Sequence, residues 1–141
     1  MDIYRGKMTE PTKLEYFQLS VGFEFPQQSY TLDSALAELY LQATSDNAEF
    51  YRAEKLVPPM AATAYAMTSL SQAVILPSGT IHVSQELDFL KTLKIGDTIT
   101  CCSKISRKVD RGGLRLMNID ITVTNQKAEV VLTGKVGFVL P

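Results

Sequence analysis

Tryptophan is absent from this 141-residue chain, and histidine occurs once, at His82. A single imidazole beside two thiols cannot complete a tetrahedral zinc site. The two cysteines, Cys101 and Cys102, are adjacent, so on a strand they point to opposite faces and a bridge between them would be strained. Both are expected to be free, reduced thiols, with no metal and no other cofactor implied. Excess positive charge is missing too. The 14 Lys and Arg against 15 Asp and Glu leave a net charge of -1, which removes the electrostatic case for nucleic acid or an anionic membrane surface. The opening MDIYRGKMTEPTKLEY contains acids and no apolar run, so it reads as neither secretion signal nor transit peptide and leads to the expectation of a cytoplasmic protein. Internal repeats and low-complexity tracts are also lacking. The most informative gap is local: no Asp, Glu, Lys or Arg occurs from Leu56 to Gln85, although 21% of the chain is charged.

That uncharged stretch contains VPPMAATAYAMTSLSQAVIL, Val57 to Leu76. Pro58 and Pro59 suit the first turn of a helix, where an amide hydrogen has no helical partner, and Pro77 cannot continue one. Between them, Met60 to Met67 are apolar or small on all sides. The expectation is a buried helix of about five turns with other backbone packed close around it. A membrane span of that length is the competing reading. Thr63, Thr68, Ser69, Ser71 and Gln72 are too many polar groups for a lone span, and basic or aromatic flanks are missing.

The remainder can supply a wrapper for such a helix. Residues 1–15 read as a polar N-terminal arm and 16–141 as a single domain. Tyr16 to Phe25 alternates like a strand ended by Pro26. Thr31 or Asp33 can cap a helix whose Leu36, Leu39, Tyr40 and Ala43 are expected to face the core. Ser45, Asp46 and Asn47 mark a stop, and Ala48 to Lys55 reads as a short helix or turn. Strands are expected at Thr80 to Phe89, Thr98 to Val109, Leu114 to Thr124 and Glu129 to Leu140, with a glycine hairpin at Asp110 to Gly113. The fold class is α+β: an antiparallel meander curled around one long helix, with an edge strand left over for dimerisation.

Particular residues add a resemblance. Gly79 to Phe89, the turn Lys94-Ile95-Gly96-Asp97-Thr98-Ile99, and Gly22-Phe23-Glu24-Phe25 followed by a helix ending Ala43-Thr44-Ser45-Asp46 are together similar to the MaoC-like hydratases and dehydratases of acyl thioesters. The resemblance runs from about Phe17 to Leu140 and implies the hot-dog fold. In active members of that family a Gly-Asp-x-Asn-Pro-x-His pattern holds a water between Asp and His, which act as general acid and base. Amides at the start of the central helix polarise the thioester carbonyl. Asp46 falls on the Asp of the pattern, Glu49 on its Pro, and Tyr51 on its His. A phenol titrating near pH 10 donates a hydrogen bond at neutral pH but activates water poorly. Pro58-Pro59-Met60-Ala61 replaces the family's His-Gly-Met. Ser69 lies about where a helix hydroxyl approaches substrate.

The resemblance therefore implies catalytic places for Asp46, Tyr51 and Ser69, and thioester contacts for Pro59, Met60 and Ala61. Each has a plainer reading: a helix-terminal turn for Asp46, a core or interface aromatic for Tyr51, and a hydroxyl bonded back to the preceding turn for Ser69. His82, mid-strand on the face of Thr80 and Ser84, is expected to face solvent or a dimer edge. Lys104, Arg107, Lys108, Arg111 and Arg115 crowd the hairpin. They form either a solvated tip or, through Arg111 and Arg115, a site for the phosphates of coenzyme A or of a carrier-protein arm. Three functions remain open. The chain is a reduced or partner subunit that binds acyl-CoA or acyl carrier protein thioesters, as a homodimer or with a related hot-dog chain. It is an active hydratase, dehydratase or thioesterase with an altered site. Or it is a structural or regulatory dimer whose pocket is filled by Met60, Tyr65 and Met67.

Overall fold

The structure, a computed structural model, describes residues 13–141, so most of the expected arm lies outside the described residues. In chain order the elements are β1 (Leu14–Glu15), β2 (Gln28–Thr31), α1 (Ser34–Ala43), α2 (Phe50–Ala53), β3 (Leu56–Val57), α3 (Pro59–Ala73), β4 (Val74–Ile75), β5 (Ile81–Phe89), β6 (Leu93–Lys94), β7 (Thr98–Arg111), β8 (Leu114–Thr124) and β9 (Val130–Leu140).

Alternation in the second half of the chain builds the main sheet. On β8, Met117, Ile119, Ile121 and Val123 are buried and face α3, while Asp120 and Thr122 between them point outward. Ile99, Cys101 and Ile105 continue this inner surface on β7, and Val136 and Phe138 on β9. Gly112 (φ 61) and Gly113 (φ 80) close the β7–β8 hairpin in two residues; both positive angles are those a tight hairpin turn needs. The sheet is antiparallel throughout, in the order β2-β7-β8-β9-β5. This corrects the simple meander: β5 joins the far side of β9, and the chain crosses over through β6, which pairs with β3, before it reaches β7.

The α+β plan of a helix against a curved antiparallel sheet is present, and three expectations about its parts need correcting. First, α3 is shorter than expected and is not buried all round. It spans about 22 Å at ~1.5 Å per residue and stops at Ala73, because Val74 and Ile75 pair with Leu14 and Glu15 in a parallel two-stranded ladder. Ala62, Ala66 and Leu70 press on the sheet, whereas Met60, Ala64 and Thr68 are exposed. Second, α1 turns only part of the expected face to the core: Tyr40 packs against the core cluster as expected. Asp33 does cap it, accepting from the Leu36 amide at 2.8 Å. The side chains it buries, however, are Ala37 and Leu41, and Leu39 is 64% exposed. Third, Tyr16 to Phe25 is not one continuous strand. Tyr16–Gln18 is a 3-10 turn and Gly22 takes φ 90. Only from Gly22 on does the segment run antiparallel to β7, around the Glu24–Lys104 bridge: the Gly22 amide donates to the Ile105 carbonyl at 2.8 Å, Ile105 to Phe23 at 3.0 Å and Phe25 to Ser103 at 2.9 Å. What shapes the first half lies far along the chain. The Lys108 ammonium donates to the carbonyls of Tyr16 and Leu19, at 2.8 Å each, and sits 3.9 Å from the centre of the Tyr16 ring. Those carbonyls are satisfied by a side chain in place of a neighbouring strand. Among the described residues no helix is long and apolar enough to cross a membrane.

Candidate functional site

Between α1 and α3 lies an apolar recess. Leu36, Leu39 and Tyr40, with Ala61, Ala64 and Tyr65 opposite, line an open groove of about 270 Å³. Small residues on α3 supply the space. Tyr65 forms part of the wall and does not plug the groove, and Met60 is 44% exposed, so two of the three residues expected to fill the pocket leave it open.

Tyr40 lines this groove, and Asp46 and Tyr51, which do not, lie close enough to Tyr40 for their charges to act on it. The end of α1 is a Schellman closure: Ser45, at φ 53, donates to the Gln42 carbonyl at 3.1 Å, and Asp46 donates to the Leu41 carbonyl at 2.9 Å. Beyond that closure, one Asp46 carboxylate oxygen accepts from the Ala48 amide at 2.9 Å, an Asx turn. The plainer reading of Asp46 thus has a definite geometry, and its other carboxylate oxygen remains for a ligand. Tyr51 is half-buried, its ring 4.0 Å from that of Phe50. Tyr40 was not singled out for chemistry in the sequence, yet burial first, and then the charges of Tyr51 and Asp46, push its phenol above the usual range. At neutral pH it is a hydrogen-bond donor. Its position in the α1 apolar stripe was the only signal available.

The start of α3 is poorer in donors than the resemblance implies. Pro58 and Pro59 have no N–H, and the Ala61 amide already donates to the Pro58 carbonyl at 2.9 Å. The Met60 amide is the one left at the tip. Ser69 is not beside Asp46. It is a buried residue of α3 beside the Tyr30 phenol, with which its hydroxyl shares a hydrogen bond, whereas the hydroxyls bonded back to the helix are those of Thr68, to Ala64, and Ser71, to Thr68.

Two other groups are separated or displaced. Arg111 pairs with Leu114 and Asp110 with Arg115, so the two arginines lie on opposite faces of the hairpin and do not form one phosphate site. Arg115 is engaged with Asp110 at 3.5 Å, the Pro141 carbonyl at 3.1 Å and the Phe17 ring at 5.2 Å. His82 is exposed, as expected, but a bulge at Val83 turns it to the inner face, 5.2 Å from the Phe138 ring, while Ser84 points outward opposite Gly137. Cys101 and Cys102 are free. Among the described residues no cluster of His, Cys, Asp and Glu is suited to a metal.

Comparison with known proteins bears on both fold and family. The fold is that of the R-hydratase PhaJ1 from Pseudomonas aeruginosa (TM-score 0.75, 19% identity, 89% of this chain and 84% of that one). It is likewise that of a MaoC-like dehydratase from Rhodospirillum rubrum (TM-score 0.75, 18% identity, 90% and 96%). The HadBC 3R-hydroxyacyl-ACP dehydratase complex from Mycobacterium tuberculosis contains a similar chain (TM-score 0.69, 16% identity, 84% and 96%). No curated protein matches the sequence significantly. Residues 20–134 match the model of the FAS1-like, dehydratase domain region. A helix half-wrapped by an antiparallel sheet, with that match across most of its length, makes this chain a member of the FAS1-like dehydratase region family, with a MaoC-like hot-dog fold.

Proposed function

We propose that the chain is an acyl-thioester-binding subunit of the hydratase and dehydratase lineage, holding an acyl tail while a related hot-dog chain supplies the acid and base. The observation that carries this reading is the pairing of an open apolar groove with an incomplete proton-transfer set. The groove between α1 and α3 suits an alkyl chain. Beside it, Tyr51 occupies the place the resemblance gives to histidine, and Asp46 has one oxygen committed to its own turn. A carboxylate without the histidine lacks the second group of the acid and base pair. The HadBC neighbour is a complex of two chains, which supports a heterodimer over a homodimer here. The thioester is of coenzyme A or of a carrier protein, the setting is fatty-acid metabolism, and the compartment is the cytoplasm.

The test is hydration of crotonyl-CoA by the purified chain, alone and mixed with a hot-dog chain bearing the intact Asp and His. No turnover is expected from the chain alone. Robust turnover that disappears in Asp46→Asn would replace this reading with a second one, an active enzyme with an altered site. The specific support for that second reading is that Tyr51 and Asp46 lie near enough to the groove residue Tyr40 for their charges to raise its phenol.

A further inference from the structure

The outer face of the sheet, turned away from α3 and the groove, carries a pattern with no role in the site. Register lines up five charges in one row across it: Glu24 beside Lys104 of β7, then Asp120 of β8, Lys135 of β9 and Glu86 of β5. The sign alternates at every step, and all five residues are exposed. The ion pairs of the described residues are Arg52 with Glu38, Lys91 with Glu129 and Arg115 with Asp110, so no member of the row is held in a close pair. Nearer the hairpin a second row is apolar. Val109, Leu116, Val139 and Ile81 stand in register on the same four strands, the first three half-buried and Ile81 59% exposed. Bulges at Ser106 and Val83 keep both rows on one face. Polar hollows of about 500 and 350 Å³ share Asp120 and Thr122 as lining, so this face is not a plain bulge.

We propose that this face binds a second copy of the chain, back to back, about a twofold axis that runs along the strands between β8 and β9. In such a contact each residue faces the one for which the axis exchanges it. The axis exchanges β8 with β9 and β7 with β5, so Asp120 faces Lys135 of the second copy and Lys104 faces Glu86, each twice. Every cation meets an anion. An axis on β8 itself would set each charge over its own kind. An axis between β7 and β8 also matches the signs, but it leaves Val139 and Ile81 with nothing apolar to meet. Between β8 and β9, Leu116 meets Val139 and Val109 meets Ile81, so the apolar row selects one of the two axes that the charges allow. Aligned sheets stack in this way about 10 Å apart. Four strands ~4.8 Å apart, over about eight residues at ~3.4 Å, give about 500 Å² on each copy. The total of about 1,000 Å² is at the lower limit of a specific interface, with the charges fixing register. The contact does not depend on the acyl-thioester reading. It leaves the groove and the outer edge of β5 open, so a related hot-dog chain keeps its place and two such pairs become one four-chain body.

The experiment is sedimentation equilibrium of the full chain and of its Asp120→Lys and Lys135→Glu variants, each alone and mixed one to one. The wild type should associate at low salt and dissociate in about 0.5 M NaCl, where the charges are screened. Each variant alone sets like charges at both central contacts and should lose affinity about tenfold or more. The mixture restores opposite charges at both and should associate as the wild type does. Melting temperatures show whether each variant is folded; where one is not, Lys104→Glu mixed with Glu86→Lys makes the same test at the outer contacts. A wild type that stays monomeric would overturn the proposal. So would association unaltered in the variants, which places it on another surface such as the β5 edge, or a mixture no stronger than its parts, which excludes this axis.

Discussion

The two flanks of α3 are made from similar residues and serve opposite ends. On the sheet side, Ala62 and Ala66 are 0% exposed, and Leu70 one turn further on is buried too. On the other side, Met60, Ala64 and Thr68 follow the same four-residue spacing and remain open. The helix itself does not decide which flank becomes core. What differs is the facing element. Ile99 and Cys101 of β7 belong with Ala62 and Ala66 to one buried cluster, whereas α1 buries Ala37 and Leu41, packs Tyr40 part-way in and leaves Leu39 exposed. A small-residue helix thus gives close packing where a sheet meets it and a recess where nothing does.

Four substitutions and one titration can break or sharpen that contrast. The largest effect belongs to the sheet side: Ile119→Ala, at a fully buried position, should cost about 2–5 kcal/mol in urea unfolding. Next comes alkali. Burial pushes the Cys101 thiol from 9.0 up to about 12, so folding favours its protonated form. That contribution is complete below pH 9.0 and is lost as pH rises towards 12. Unfolding midpoints measured on either side of pH 9.0 should show the decline, and Cys101→Ala should flatten it. Then the matched pair on α3: Ala62→Leu overpacks the sheet side and should cost about 1–3 kcal/mol. Ala64→Leu, on the open flank, should stay within about 0.5 kcal/mol in stability while filling the groove and weakening decanoyl-thioester binding. Equal destabilisation by the two leucines would show that the open flank is covered in solution.

Local signals made much of the architecture legible in the sequence. The prolines before Met60 placed the start of α3 to within a residue, the paired glycines placed the β7–β8 turn, and alternation placed β7, β8 and β9. What was not legible came from partners distant in the chain. Nothing near Tyr16 announces that Lys108 will bind its carbonyl. Nothing in the strand β5 says that it will pair with β9 in preference to β7. The apolar stripe of α1 was visible, but periodicity cannot say whether such a stripe meets the protein's own core or a guest. The site was legible to the extent that spacing carried it. Asp46 and Tyr51 could be placed by their separation, whereas Tyr40 matters because of its depth, which one-dimensional pattern does not encode.

The twin imino acids ahead of Met60 have a kinetic consequence. An enolate forming against that tip would be gripped by a single main-chain N–H. Loss of one donor from such an anion hole ordinarily slows turnover by about 10²–10³. A chain with this helix start can hold a thioester in place, yet it is poorly equipped to wait out the charged moment of the reaction without a second donor from elsewhere.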